Sequence, residues 1–161
     1  MTEREYNTCV DQYADRVYRF VLKNLRHEAD SRDVVQTAFE KLWRNRMELD
    51  PGKSKSYLFT IAYHSLIDHI RKNKRITLQE NFEEQSAVIA PQSNHLRKVL
   101  ERALDTLSET QRSLVLLKDY EGYSYAEIGT ITGLNASQVK VYLFRARMQL
   151  KTYLVSLENV R

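Results

Sequence analysis

The chain has 161 residues, with 25 Lys and Arg against 21 Asp and Glu, for a formal net charge of +4. That length holds one domain or two small ones, and so small a charge makes any basic surface local rather than global. One cysteine, Cys9, excludes an intramolecular disulfide and a zinc site built on several thiolates. No apolar run approaches the ~20 residues that cross a bilayer, so no insertion into a membrane is expected.

The N-terminal stretch MTEREYNT has no apolar core segment and does not read as a secretory signal, so the expected location is the cytoplasm. Four Gly and two Pro are too few for a fold with many tight turns, and long stretches with 3.6-residue periodicity predict an all-α protein. Tyr6, Val10, Tyr13, Val17, Phe20 or Val21, and Leu25 form the apolar stripe of a first helix, where Cys9 is expected to be buried and inert. Asp30 or Ser31 is the expected cap of a second helix, whose buried side is Val34, Val35, Ala38, Phe39, Leu42 and Trp43. Asp50-Pro51-Gly52 is a turn signal.

A third helix is expected over 54–74, with Leu58, Ile61, Ala62, Ile67 and Ile70 inward. Tyr57, Phe59 and Tyr63 add aromatic bulk, and Arg71, Lys72, Lys74 and Arg75 follow. Rings that stack on bases, beside cations that hold the backbone, suit single-stranded nucleic acid. The other reading makes these aromatics core and the basic run a solvated helix end, and both readings stand open for Tyr57, Phe59 and Tyr63.

The sequence ITLQENFEEQSAVIAPQSN then loses periodicity and turns polar. A flexible linker is expected over 76–95, with a short ordered piece at 77–84. It joins a small helical domain over 1–75 to a second over 96–161. Residues 1–73 carry 13 cations and 11 anions, 74–95 carry two and three, and 96–161 carry 10 and seven. Both ends are mildly basic, which suits a polyanionic partner.

Residues 123–151 hold the sharpest signal. Ser124 with Glu127, and Asn135 with Gln138, each make the capping-box pattern, as Ser108 and Gln111 do upstream. Gly133 lies where a helix ends in the left-handed conformation. The result is a helix, a short turn and a second helix from about Ala136 to Leu154. Val139, Leu143, Ala146, Leu150 and Leu154 form its apolar stripe, while Lys140, Arg145, Arg147 and Lys151 supply cations with no acid among them. Such a helix fits the DNA major groove, with phosphate favoured at its N-terminus.

Three segments, DSRDVVQTAFEKLW (30–43), SYLFTIAYHSLIDHIRK (56–72) and the helix–turn–helix, stand in the order found in bacterial RNA polymerase sigma factors. The chain resembles the small extracytoplasmic-function type of the sigma-70 family, which keeps the second and fourth sigma domains joined by a linker. The resemblance implies that the 30–43 helix docks on core RNA polymerase, with Asp33, Val34, Gln36 and Thr37 at the contact. It implies that the third helix meets the promoter −10 element and helps hold strands apart through Tyr57, Phe59, Tyr63, His64, Arg71, Lys72 and Arg75. The loop over 47–55 matches one that captures a flipped-out base of the non-template strand. Ser137, Lys140, Val141, Phe144 and Arg145 fall on positions that read the −35 element. Partners implied are core polymerase, promoter DNA as duplex and as single strand, and an anti-sigma factor.

Relatives often carry Arg-Asn where Tyr63-His64 stand and Ser-Arg where Val141-Tyr142 stand, so no relative's promoter sequence carries over. No nucleophile motif, phosphate-cradling glycine loop or dinucleotide fingerprint is present, and His64 with Asp68 lacks a third metal ligand. Neither an enzyme nor a cofactor is expected. Two rival readings are a helix–turn–helix regulator that binds operator DNA without polymerase and a pure protein-interaction module.

Overall fold

The computed structural model describes residues 1–80 and 95–159. Seven α-helices and no strand occur among the described residues, as the periodicity predicts. Helix α1 (Glu3–Leu25) starts at Thr2, whose Oγ1 accepts from Glu5 N at 3.1 Å while Glu5 Oε1 accepts from Thr2 N at 2.7 Å. Helix α2 (Glu28–Arg44) is capped by His27, whose Nδ1 accepts from Asp30 N at 3.2 Å. Asp30 and Ser31, the expected caps, are already inside the helix. A neutral imidazole nitrogen can serve as the acceptor there, and sequence preference for short polar side chains hides it.

Two 3-10 turns, Arg46–Glu48 and Pro51–Lys53, lead into α3 (Ser54–Glu80). Asp50 Oδ1 accepts from Gly52 N at 3.0 Å and closes the second turn. Helix α3 runs through residues 76–80, which the sequence assigns to the linker. The rest of the expected linker, 81–94, lies outside the described residues.

The second half holds α4 (His95–Asp105), α5 (Glu109–Val115), α6 (Tyr125–Thr132) and α7 (Ala136–Asn159). The Ser108–Gln111 and Ser124–Glu127 capping boxes both form. At the C-terminus of α5 the backbone widens into a π turn, Leu116–Tyr120, where Glu121 N donates to Leu116 O at 3.0 Å. Such widened turns re-aim the residues beyond them. Here they are Glu121 and Tyr123.

The two halves share one apolar core. Helix α3 packs on α1 and α2 and also on α6, while α5 packs on α1 and α7. Phe59 lies at the junction, with its ring edge-on to Phe20 (5.6 Å) and to Tyr123 (5.5 Å).

Polar groups line the same junction. Arg112 donates to Asn24 O (2.9 Å), Leu104 O (3.1 Å) and Leu107 O (3.0 Å), so a half-buried guanidinium ties α1 to the α4–α5 turn. Ser113 Oγ donates to Asn24 Oδ1 at 3.3 Å, both side chains buried. At the rim, Arg16 pairs with Glu121 (2.9 Å), and Arg26 with Glu101 (3.0 Å) and Asp105 (3.1 Å).

Candidate nucleic-acid interface

The helix–turn–helix forms as its local signals predict. Gly133 ends α6 at φ 82°. Asn135 Oδ1 then accepts from Gln138 N at 2.8 Å and Gln138 Oε1 from Asn135 N at 2.9 Å, which starts α7. A second glycine makes the tight turn possible. A Cβ on Gly129 would stand 2.8 Å from the Leu134 carbonyl oxygen, closer than any side chain tolerates.

Val139, Leu143 and Ala146 bury one face of α7 against α5 and α6. Ser137, Lys140, Val141, Phe144 and Arg145 all lie exposed on the other side. Phe144 is 65% exposed and Val141 44%, which are large apolar areas to leave in water on a helix with cations beside them. Leu150 and Leu154, expected on the buried stripe, are only half-buried.

The four cations do not form one free set. Arg147 Nη2 donates to Asp119 Oδ1 at 2.7 Å, and that hydrogen bond raises the guanidinium's pKa further. The guanidinium is therefore held at the surface in an ion pair with Asp119 instead of standing free. A position missing from the sequence reading takes its place: Tyr125, at the start of α6, lies under Lys118 Nζ (4.7 Å) and Lys140 Nζ (5.5 Å). This puts Lys118 in the basic patch beside Lys140. Lys118 and Lys140 are 22 positions apart, and no local spacing pairs them.

Helix α3 presents a different surface from the one expected. Phe59 is fully buried and Tyr63 is 7% exposed, so neither ring is offered to a base. Burial also pushes the Tyr63 hydroxyl pKa up. The physical reason is the second half of the chain, since α6 covers the side of α3 that α1 and α2 leave open. Tyr57 is half-buried, and Asn45 Nδ2 donates to its Oη at 2.8 Å. His64, Arg71 and Lys72 are exposed with Asp68 among them, and the side chain of Arg75 lies outside the described residues. Met47, in the loop before α3, is 77% exposed.

On α2, Asp33 and Gln36 are exposed and Thr37 is half-buried. Gln36 Nε2 donates to Glu40 Oε1 at 3.2 Å, one turn along the same face. Val34 is 5% exposed and packs into the core, so it supports that face from beneath. No group of acidic, histidine or cysteine side chains among the described residues has the arrangement to hold a metal ion. No described helix is long and apolar enough to cross a membrane.

Comparison with known proteins matches two segments of the chain to family models. The family model described as sigma-70 region 2 matches residues 9–76, and that described as sigma-70, region 4 matches 97–150. The extracytoplasmic-function sigma factor SigE of Mycolicibacterium smegmatis is 32% identical over 157 residues, covering 92% of this chain. The chain spans 61% of that relative's length. The sigma factor SigV of Bacillus subtilis is 26% identical, over 86% of this chain and 84% of its own.

Among solved structures, the sigma factor RpoE of Bartonella quintana, in complex with the anti-sigma factor NepR, superposes with a TM-score of 0.81 at 25% identity. That match covers 94% of this chain and 97% of the other. CnrH, in complex with the cytosolic domain of CnrY, shares the fold at a TM-score of 0.71 and 22% identity. With region 2 on α1–α3, region 4 on α4–α7 and an exposed, acid-free face on the second helix of the helix–turn–helix, the chain belongs to the sigma-70 family of RNA polymerase sigma factors, of the extracytoplasmic-function type.

Proposed function

We propose that this protein binds core RNA polymerase and directs it to promoters, where it recognises duplex DNA and helps open the strands. The observation that carries the reading is the pairing of regions 2 and 4 in one chain with the exposed face of α7. A regulator that binds operator DNA by itself needs no region 2. No bond-making chemistry is required of the chain.

The division of labour follows from the surfaces. Ser137, Lys140, Val141, Phe144 and Arg145 enter the major groove at the −35 element. Val141 and Phe144 suit thymine methyl groups there, and the two cations suit phosphate or guanine edges. Lys118 and Tyr125 extend the phosphate contact. His64, Arg71 and Lys72 face the −10 element, and Arg75 is assigned there with them. Asp33, Gln36 and Thr37 meet core polymerase.

Each DNA reader is weak alone. Tethering both on one polymerase raises their effective concentration, so specificity appears in the assembled enzyme. The expected location is the cytoplasm, with the polymerase. The matched RpoE structure contains an anti-sigma factor, and such a factor is a proposed partner here as well.

The test is transcription in vitro with purified core polymerase and genomic promoter fragments. The expected result is initiation at defined start sites only when this protein is present. Operator-type binding without core, and no initiation with it, would instead establish the regulator.

A further inference from the structure

We propose that this protein selects its −35 element through the methyl groups of thymine, with Val141, Phe144 and Met148 as the side chains that meet them; this rests on the promoter-specificity reading above and adds Met148 to the groove face. The geometry of α7 carries the inference. At 100° per residue, Ser137, Val141, Phe144 and Met148 fall within an arc of about 60°. That arc lies opposite Val139, Leu143 and Ala146, which are buried. The line is therefore separate from the core stripe and does not overhang it. Phe144, Met148 and Val141 are 65%, 47% and 44% exposed. Single exposed apolar side chains are ordinary, but three aligned on one helix face make a contact surface.

The cations stand beside this line, not on it. Lys140 and Arg145 lie about 70° to either side of its centre. Lys140 leans toward α6, where its Nζ is 5.5 Å from the Tyr125 ring centroid and Lys118 Nζ is 4.7 Å from the same ring. Arg147 is held by Asp119. A helix ~10–12 Å across fills a major groove ~12 Å wide. With the apolar line turned to the floor of the groove, side chains at 70° on either flank of it point toward the phosphate walls. Apart from the Ser137 hydroxyl, the groove floor then meets apolar side chains.

The thymine C5-methyl is the apolar group that a base pair presents in that groove. Apolar side chains laid on the polar edge of a G·C pair displace its water and return no hydrogen bond. Laid on a thymine methyl, they gain apolar burial. From Val141 to Met148 the helix rises ~10 Å, or about three base pairs at 3.4 Å each. The expected element therefore holds thymines, on either strand, within about three consecutive pairs. A cytosine methylated at C5 places the same group at the same point of the groove.

Deoxyuridine tests the proposal, because it pairs as thymine does and lacks only the methyl. A promoter on which the holoenzyme initiates is remade with each −35 thymine replaced in turn. We expect holoenzyme binding to fall about three- to fivefold for each contacted methyl, the effect of burying one such group. At the same positions, 5-methylcytosine should bind more tightly than cytosine by a similar factor. Removing a methyl also changes the shape of the DNA, and variants of the protein separate the two effects. Val141→Ser, Phe144→Ala and Met148→Ala all alter the exposed face of α7. Each should bring the thymine-to-uracil ratio close to one at its own position and leave the other positions unchanged.

A −35 element whose thymines all accept deoxyuridine without loss overturns the proposal and leaves the promoter reading intact. A thymine-to-uracil ratio that none of the three variants alters overturns it as well, since the methyl then acts through DNA shape. Protein that initiates on no promoter with core polymerase overturns the promoter reading and this inference with it.

Discussion

Tyr123→Phe should make the protein more stable, although it removes a polar group from a buried tyrosine. The ring of Tyr123 is 4% exposed and lies between Phe59 at 5.5 Å and the Lys55 ammonium at 4.7 Å. Its hydroxyl has no hydrogen-bond partner. An unsatisfied buried hydroxyl costs about 1–3 kcal/mol of lost hydration with nothing in return. Phenylalanine keeps the ring contacts and removes that cost, at the expense of a gap one oxygen wide. The expected gain is about 1 kcal/mol, the low end of the range, since the gap returns part of it. For a chain of this size that raises Tm by about 2–4 °C. Urea unfolding followed by circular dichroism gives the free energy, and an unchanged slope against urea would show that the same surface is exposed. A loss of 1 kcal/mol or more would mean that the hydroxyl is satisfied, and the account of the junction would fail.

Four further outcomes are expected. Burial holds the Tyr123 and Tyr63 pKa values above the usual 10.0. A group raised in the folded state contributes fully below its unfolded value and loses that contribution as pH rises through the folded one. Compaction measured by scattering should therefore persist to pH 10 and fail above it, and failure at neutral pH would contradict the buried phenols. Gly129→Ala should cost about 1–3 kcal/mol in chemical denaturation, since its Cβ meets the Leu134 carbonyl rather than a movable side chain; a neutral result would mean that the turn relaxes freely. Lys140→Ala or Arg145→Ala should weaken holoenzyme binding to DNA that carries the −35 element. A true phosphate contact also flattens the log–log salt slope by about 0.9, and unchanged binding would move the DNA to another face. Gln36→Arg should weaken binding to core polymerase with the helical signal intact, and normal affinity would remove α2 from that interface.

Features governed by neighbours along the chain were legible in the sequence. The caps at Ser108, Ser124 and Asn135 form as their spacing predicts, and Gly133 takes the left-handed conformation. The exposed side of α7 followed from its apolar stripe in the same way. Contacts between distant positions were not legible. Arg147 reads as a free cation until Asp119, 28 positions away, takes its charge. Arg112 carries no signal of its own, yet it joins Asn24 to the carbonyls of Leu104 and Leu107. The His27 cap depends on which ring nitrogen points back at the helix, and composition does not show that.

The burial of Phe59 and Tyr63 differs from these cases, because its signal was present in the sequence. Leu58, Phe59, Ile61, Ala62, Tyr63 and Leu66 are all buried on α3. At 100° per residue they span an arc of about 200°. A helix resting on a single neighbour needs an apolar stripe of about 100°. The excess requires a second partner on the side of Phe59 and Tyr63. That partner is the second half of the chain, with α6 packed on α3 and Tyr123 edge-on to Phe59. Of the two readings of Phe59 and Tyr63, as core and as base-stacking groups, their burial supports the first. Any partner that competes for that face of α3 must first displace Tyr123, whose ring lies 5.5 Å from that of Phe59.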